Sequence, residues 1–204
     1  MKNCLVIGKA NAGKTLFVIN FAAYLGAKKI RFTLADSLGR KHSREYPPDL
    51  ARKYFTGGRP HQTRCLQSVS IKISVGKGQK NLILTDSTGL IEGIHPKAEI
   101  RKAMAQTLET LLEADLIMHM VDISQVNYWD HDHCLNMELI DRQIMDFGRE
   151  HSRYILLLNK IDLFQSLTSR EKIKQQFSGV PVFLISSLTE EGFAEVKSYV
   201  WNFV

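Results

Sequence analysis

This 204-residue sequence predicts an α/β fold: a mainly parallel sheet with helices on both faces and one antiparallel edge strand. Three observations carry that expectation. Short apolar runs alternate with helical patterns along most of the chain. Two of those runs are joined by Gly76-Lys77-Gly78 and read as a hairpin. The first run, Cys4-Leu5-Val6-Ile7, passes directly into GKANAGKT at residues 8 to 15, a glycine-rich step from strand to helix.

Taken in order, 4–7 is a buried strand and 14–27 a helix, with Leu16, Phe17, Ile19, Asn20, Ala23 and Tyr24 counted at helical spacing. A long polar and basic stretch follows, to about Arg64. Residues 65–75 alternate as a half-solvated strand, and 81–85 form the second arm of the hairpin. Beyond it come a helix at 98–114, a strand at 115–123, a helix at 135–147, a strand at 153–158 and a short helix at 169–177. A strand at 180–185 and a last helix at 189–204, capped by Thr189 with Gly192 at its third position, complete the set. The expectation is a single domain over 1–204, with a basic insertion at about 34–64.

No apolar run approaches the roughly 18 residues that cross a bilayer. The three cysteines are far apart and form no Cys-x-x-Cys, which fits a reducing, cytoplasmic setting. The net charge of +6 is unevenly placed: Lys28 to Arg64 holds ten Lys and Arg against three Asp and Glu. A basic segment therefore sits on a near-neutral domain.

Gly8 to Thr15 has the spacing Gly-x4-Gly-Lys-Thr between a strand and a helix, the context a phosphate loop requires. Its N–H groups, among them those of Ala12, Gly13 and Leu16, and the helix N-terminus would face phosphate oxygens. Lys14 would reach the β- and γ-phosphates and Thr15 would bind Mg²⁺. Asp86-Ser87-Thr88-Gly89 closes the second hairpin strand. Asp86 would hold the Mg²⁺ water shell, and Gly89 would offer its N–H to the γ-phosphate, where a side chain would crowd it. A plain Asp-x-x-Gly turn is the competing reading. Asn159-Lys160-Ile161-Asp162 closes the strand at 153–158. The Asp162 carboxylate can accept from guanine N1–H and N2–H₂, a donor pair adenine lacks. Asn159 would meet guanine N7 and brace the loop, with the Lys160 stem over the base.

These three motifs, in this order and near these spacings, resemble a translation-factor-class P-loop GTPase domain of small-GTPase type, over essentially the whole chain. DSTGLIEG, LLEADLIMHMVD and HQTRCLQSVSIKI are most similar to the Era/MnmE/EngA branch. The resemblance implies that Thr63 binds Mg²⁺ and senses the γ-phosphate. It also implies that Ser186-Ser187-Leu188, in place of the usual Ser-Ala-Lys, contacts guanine O6 through a backbone N–H. In Era/MnmE and FeoB-like GTPases an asparagine at the position of Asn11 can coordinate K⁺ between the phosphates. The other reading of Asn11 is a hydrogen bond within the loop. Leu90 follows Asp-x-x-Gly where Ras-type GTPases often carry a water-positioning glutamine, and leucine has no group for that task.

The expected function is therefore a Mg²⁺-dependent GTP switch with slow hydrolysis, K⁺-activated through Asn11, whose output is a protein partner or a nucleotide-dependent homodimer. The alternative is a GTP-binding scaffold with negligible turnover. An ATP-using P-loop enzyme is disfavoured by Asp162. The basic 28–64 segment, with Tyr46, Tyr54 and Phe55 among its cations, suits RNA or ribosome contact, an acidic protein face, anionic lipid, or a solvated insertion closing over GTP. Pro47-Pro48 divides it, Asp49 is the expected cap of a short helix to Phe55, and Gly57-Gly58 is a joint. His131-Asp132-His133-Cys134 lacks a second ligand cluster and reads as a polar loop beside Tyr128 and Trp129.

Overall fold

The computed structural model describes residues 2–35, 41–56, 67–75, 78–91, 96–125, 137–150, 153–163, 167–177 and 179–203. Thr63, the Gly57-Gly58 joint and the 128–134 stretch lie outside them. Among the described residues eight strands form one sheet: β1 (Lys2–Ile7), β2 (Ile30–Ala35), β3 (Lys41–Tyr46), β4 (Gln67–Val75), β5 (Gly78–Asp86), β6 (Leu116–Asp122), β7 (Tyr154–Asn159) and β8 (Val182–Ile185). Their order is β3-β2-β4-β5-β1-β6-β7-β8. From β5 to β8 all neighbours are parallel, with registers such as Lys2↔Leu82, Cys4↔Leu116 and Ile117↔Tyr154.

The expected class is found, with antiparallel pairing confined to one side of the sheet. That side is wider than the hairpin alone. β2 pairs antiparallel with β4, and β3 with β2, so β3 becomes the edge. Both come from the stretch read as polar and basic, and β3 ends at Tyr46, directly before the Pro47-Pro48 that divides it. Ile30 and Phe32 alternate with Arg31 and Thr33 and are buried. β3 has exposed residues along most of its length, and its Lys and Arg are what a solvated edge carries.

Among the described residues six helices cover the two faces: α1 (Lys14–Tyr24), α2 (Pro48–Phe55), α3 (Ala98–Glu113), α4 (Leu139–Glu150), α5 (Leu167–Gln175) and α6 (Phe193–Phe203). Strand alternation sorts the core. Cys4, Val6, Met118, Met120, Ile155 and Leu157 face α1, α2 and α6. Leu5, Ile7, Ile117, Val121, Leu156 and Leu158 face α3, α4 and α5. Strands β6 and β7 are buried almost throughout, as strands covered on both faces must be.

Helix α1 is apolar nearly all round because the sheet, α2 and α6 all pack on it. Phe17 stacks on Phe21 at 5.0 Å, and Phe193 meets both edge-on at 5.4 Å. Helix α2 begins with Pro48 at its first positions and Pro47 as cap, not with Asp49 as cap. Proline suits the first turn, where its missing N–H has no helical partner anyway. Asp49 instead pairs with Arg52 one turn on. The helix is held by Ala51, fully buried, and by Phe55 stacked on Phe32 at 4.5 Å.

The last helix starts at Phe193, not at Thr189. Ser186 Oγ accepts the N–H groups of Leu188 and Thr189, and Glu190 and Gly192 have positive φ, so 187–192 turn instead of coiling. A Cβ on Gly192 would lie 2.1 Å from the Leu184 carbonyl oxygen.

Candidate nucleotide site

The loops that follow β1, β5, β7 and β8 gather at the carboxyl end of the parallel strands, where open α/β sheets bind ligands. The 8–15 loop owes its shape to two glycines with different neighbours. Gly8 has φ +149° and a Cβ there would meet Met120 O at 2.2 Å. Gly13 has φ +96°, and its Cβ would meet Asn159 Nδ2 at 2.3 Å. Between them Asn11 is left-handed, φ 64°, a region asparagine enters more readily than most residues. Backbone shape is thus a reason for an asparagine here. Its side chain is exposed and has no hydrogen bond among the described residues, so the loop-bond reading gains no support.

Lys14 is buried, and its ammonium donates to Gly8 O at 3.0 Å and Lys9 O at 2.6 Å. Burial pushes it down to about 8, with Asp86 and Asp141 acting the other way. Thr15 Oγ1 donates to Asp86 Oδ2 at 2.7 Å. Asp86 Oδ1 is buried and has no hydrogen-bond partner among the described residues. Burial pushes Asp86 up to about 6, against the Thr15 hydrogen bond and Lys14. A carboxyl raised from 3.8 contributes stability below that unfolded value and loses it as pH rises through about 6. Asp86→Asn, which cannot ionise, lacks this dependence: between pH 4 and 7 the nucleotide-free wild type should lose roughly 2–3 kcal/mol of unfolding free energy relative to the variant. Urea melts at the two pH values measure this, and a constant difference would contradict it.

Gly89 is confined by a nearer neighbour than a phosphate, since its Cβ would lie 2.5 Å from Ala10 Cα. Leu90 N–H donates to Gly8 O at 3.1 Å, and the Leu90 side chain is buried in the second core. It faces away from any water-positioning task as well as lacking the group for it.

Asn159 is the hub. Its Nδ2 donates to Ala12 O at 2.7 Å and lies 3.7 Å from Met120 Sδ. Its Oδ1 accepts from Ser187 N–H at 2.8 Å and Ser187 Oγ at 3.0 Å. The bracing half of the expectation is thus visible, while both ends of the amide are already engaged. Lys160 is left-handed, φ 71°, and its ammonium pairs with Asp122 at the end of β6. Asp162 sits in a 3₁₀ turn, half-buried, its carboxylate without a partner among the described residues. The N–H groups of Ser186, Ser187 and Leu188 already have acceptors in Glu191 O, Asn159 Oδ1 and Ser186 Oγ. A base oxygen there would have to share or displace one of them.

Three contributors were missed in the sequence. Asn20, counted among apolar positions, is buried with its amide fully used. Asp122 could have been found as an acid at a strand end. His119, buried on β6 between Tyr154 Oη at 2.7 Å and Asp141 Oδ1 at 3.1 Å, had no local signal. Among the described residues no His, Cys, Asp and Glu cluster could hold a metal, and the 131–134 stretch lies outside them. Cys4 is buried, its thiol pushed up to about 12 chiefly by burial.

A phosphate-loop nucleotide-binding domain is the class this fold and loop define. The family model for 50S ribosome-binding GTPases matches residues 50–160, more than half of the chain. The chain belongs to that family, within the translation-factor-class P-loop GTPases its motifs resemble. The match spans Asp86 and Asn159 but not the 8–15 loop. GTPase Obg of Acaryochloris marina is 28% identical over 124 residues, 59% of this chain and 33% of its own length. The chain spans about a third of the Obg relatives it resembles. Among solved structures, Era in complex with MgGDPNP and nucleotides 1506–1542 of 16S ribosomal RNA superposes with a TM-score of 0.67. It is 17% identical, and the match covers 99% of this chain and 56% of that one. The G domain of the T. maritima FeoB iron transporter gives 0.53 at 18% identity, covering 100% and 98%. These likenesses show the fold.

Proposed function

We propose that the chain binds GTP at this site and hydrolyses it slowly, as a nucleotide-controlled switch. One observation carries the reading. Asn159 ties the 8–15 loop to the 186–188 loop while Asp162, three residues on, keeps a carboxylate with no partner among the described residues. That carboxylate would accept from guanine N1–H and N2–H₂, with the Lys160 stem over the base and a backbone N–H of 186–188 sharing its bond with O6. Phosphates would lie against the loop N–H groups at the start of α1. Lys14 would exchange its two carbonyl partners for β- and γ-oxygens.

The residues fit a magnesium ion: Asp86 offers a buried oxygen with no partner among the described residues, beside the Thr15 hydroxyl, the hard donors this cation takes. Thr15 and Asp86 would hold it, with Thr63 joining from the 57–66 stretch. When bound, the ion supplies positive charge that offsets charge on the phosphoryl oxygens. Gly89 and Thr63 would report the γ-phosphate to the segments that follow and precede them. We place this single domain in the cytoplasm, where its partner is a protein or a second copy. Among the described residues no helix is long and apolar enough to cross a membrane.

Leu90, turned into the core, favours slow turnover and keeps the scaffold reading in play. The exposed Asn11 amide is a suitable monovalent-cation ligand, so K⁺ would supply charge that the chain lacks. GTP turnover in KCl against NaCl at equal ionic strength, repeated with Asn11→Ala, tests this. Turnover on the order of one per minute or slower in NaCl, stimulated by K⁺ and no longer stimulated in the variant, is expected. Tight GTP binding with no turnover in either salt would establish the scaffold. No binding at all would overturn both. An RNA partner is favoured by one feature, the exposed Lys28, Lys29, Arg31, Arg44 and Lys53, in a fold shared with an RNA-bound Era. Salt-insensitive or absent RNA retention would remove that reading.

A further inference from the structure

We propose that Arg52, on α2 of the basic insertion, is a positioning residue for the guanine-nucleotide site, and that α2 thereby sets how fast nucleotide leaves. The inference rests on the site reading above and adds a control element to it. A continuous hydrogen-bonded chain joins α2 to the loops. Arg52 Nε donates to Asn20 Oδ1 at 2.6 Å. Asn20 Nδ2 donates to Ser187 O at 2.7 Å. Ser187 N–H and Oγ donate to Asn159 Oδ1, and Asn159 Nδ2 donates to Ala12 O at 2.7 Å.

The polarity of this chain is what gives Arg52 its role. Asn20 is buried in α1, and its amide has one acceptor end and one donor end. Arg52 can only donate. It therefore holds the Asn20 oxygen toward α2 and the Asn20 NH₂ toward Ser187 O. With the amide reversed, the arginine would face NH₂ and the Ser187 carbonyl would face an oxygen, and both bonds would be lost. Ser187 is gripped at its carbonyl by Asn20 and at its N–H and hydroxyl by Asn159. Loosening the first grip frees the loop that lies beside the base. Helix α2 has its own anchors in Ala51 and Phe55, so Arg52 is not needed to keep it in place.

The test is stopped-flow dissociation of methylanthraniloyl-GDP chased with unlabelled GDP, with melting of the nucleotide-free proteins as the check on folding. Arg52→Ala should raise the dissociation rate about fivefold to tenfold, less than the full worth of a hydrogen bond from a charged donor because Arg52 reaches the base only through Asn20 and Ser187. The association rate should stay within about twofold, because changes at one binding site act mostly on dissociation. Asn20→Ala should do at least as much. The double variant should exceed Asn20→Ala by nothing measurable, since both act through one chain. Arg52→Lys, which can still donate, should recover part of the effect, and the exposed neighbour Lys53→Ala should match wild type. Unchanged dissociation in Arg52→Ala, or additive effects in the double variant, would overturn the inference alone. A wild type that binds no GDP would overturn the site reading and this inference with it.

Discussion

Asp162→Asn should exchange guanine for xanthine nucleotides, with GDP affinity falling by about a hundredfold to a thousandfold and xanthosine diphosphate gaining by a similar factor. The loss is about 3–4 kcal/mol, less than two full hydrogen bonds to a charged acceptor because the asparagine oxygen still accepts from guanine N1–H. An asparagine places at least one donor against a donor of guanine, whereas the 2-oxo group of xanthine accepts it. The fold should be spared, because Asp162 makes no hydrogen bond to the described protein. Equilibrium titration with labelled GDP, XDP and ADP measures the outcome. Equal affinity of the wild type for ADP and GDP would remove guanine selection from the site.

Gly13→Ala should damage fold and site together. The added methyl would stand 2.3 Å from Asn159 Nδ2, and that nitrogen is committed to Ala12 O at 2.7 Å. Relief means moving Asn159, which also releases Ser187. The backbone at φ +96° adds its own penalty. Together these predict a loss of about 2–4 kcal/mol in unfolding free energy, from roughly 1–2 for the left-handed conformation and the rest from the broken amide bonds. Nucleotide affinity should fall by more than about a hundredfold. Gly26 supplies the control: it has the same φ of +96° and nothing within 4 Å of its Cβ. Gly26→Ala should therefore show the conformational cost alone, about 1 kcal/mol. Equal losses at the two glycines in urea melts would mean that contact with Asn159 carries no energy.

What could be read in the sequence followed the range of the signal. β1, β6 and β7 are buried on both faces and announce themselves as unbroken apolar runs, so the parallel half of the sheet was legible, as was the order of the motif loops. β2 was legible in principle through Ile30 and Phe32, but the surrounding Lys and Arg masked a two-residue alternation. β3 carries no apolar alternation at all, because an edge strand is specified by its neighbour's backbone and not by its own side chains. The site divides the same way. Glycine spacing and terminal carboxylates are local and were found. The chain from Arg52 to Ala12 joins residues 32 and 147 positions apart at its first and last links, and nothing near any of them in sequence reveals the pairing. Asn20 illustrates the cost: at helical spacing among phenylalanines it looked like one more core position.

The register of β1 also bears on the history of each new molecule. The loop at 8–15 is synthesised first, yet β1 lies between β5 and β6, paired at Lys2↔Leu82 and Cys4↔Leu116. Asn159, which completes the loop's shape, comes later still. Such distant pairings make for a slow, high-contact-order assembly. During translation the 8–15 loop leaves the ribosome long before the strands that shape it, so it takes its geometry only after residue 159 has been made. A product truncated before that residue would carry the loop's sequence without its shape.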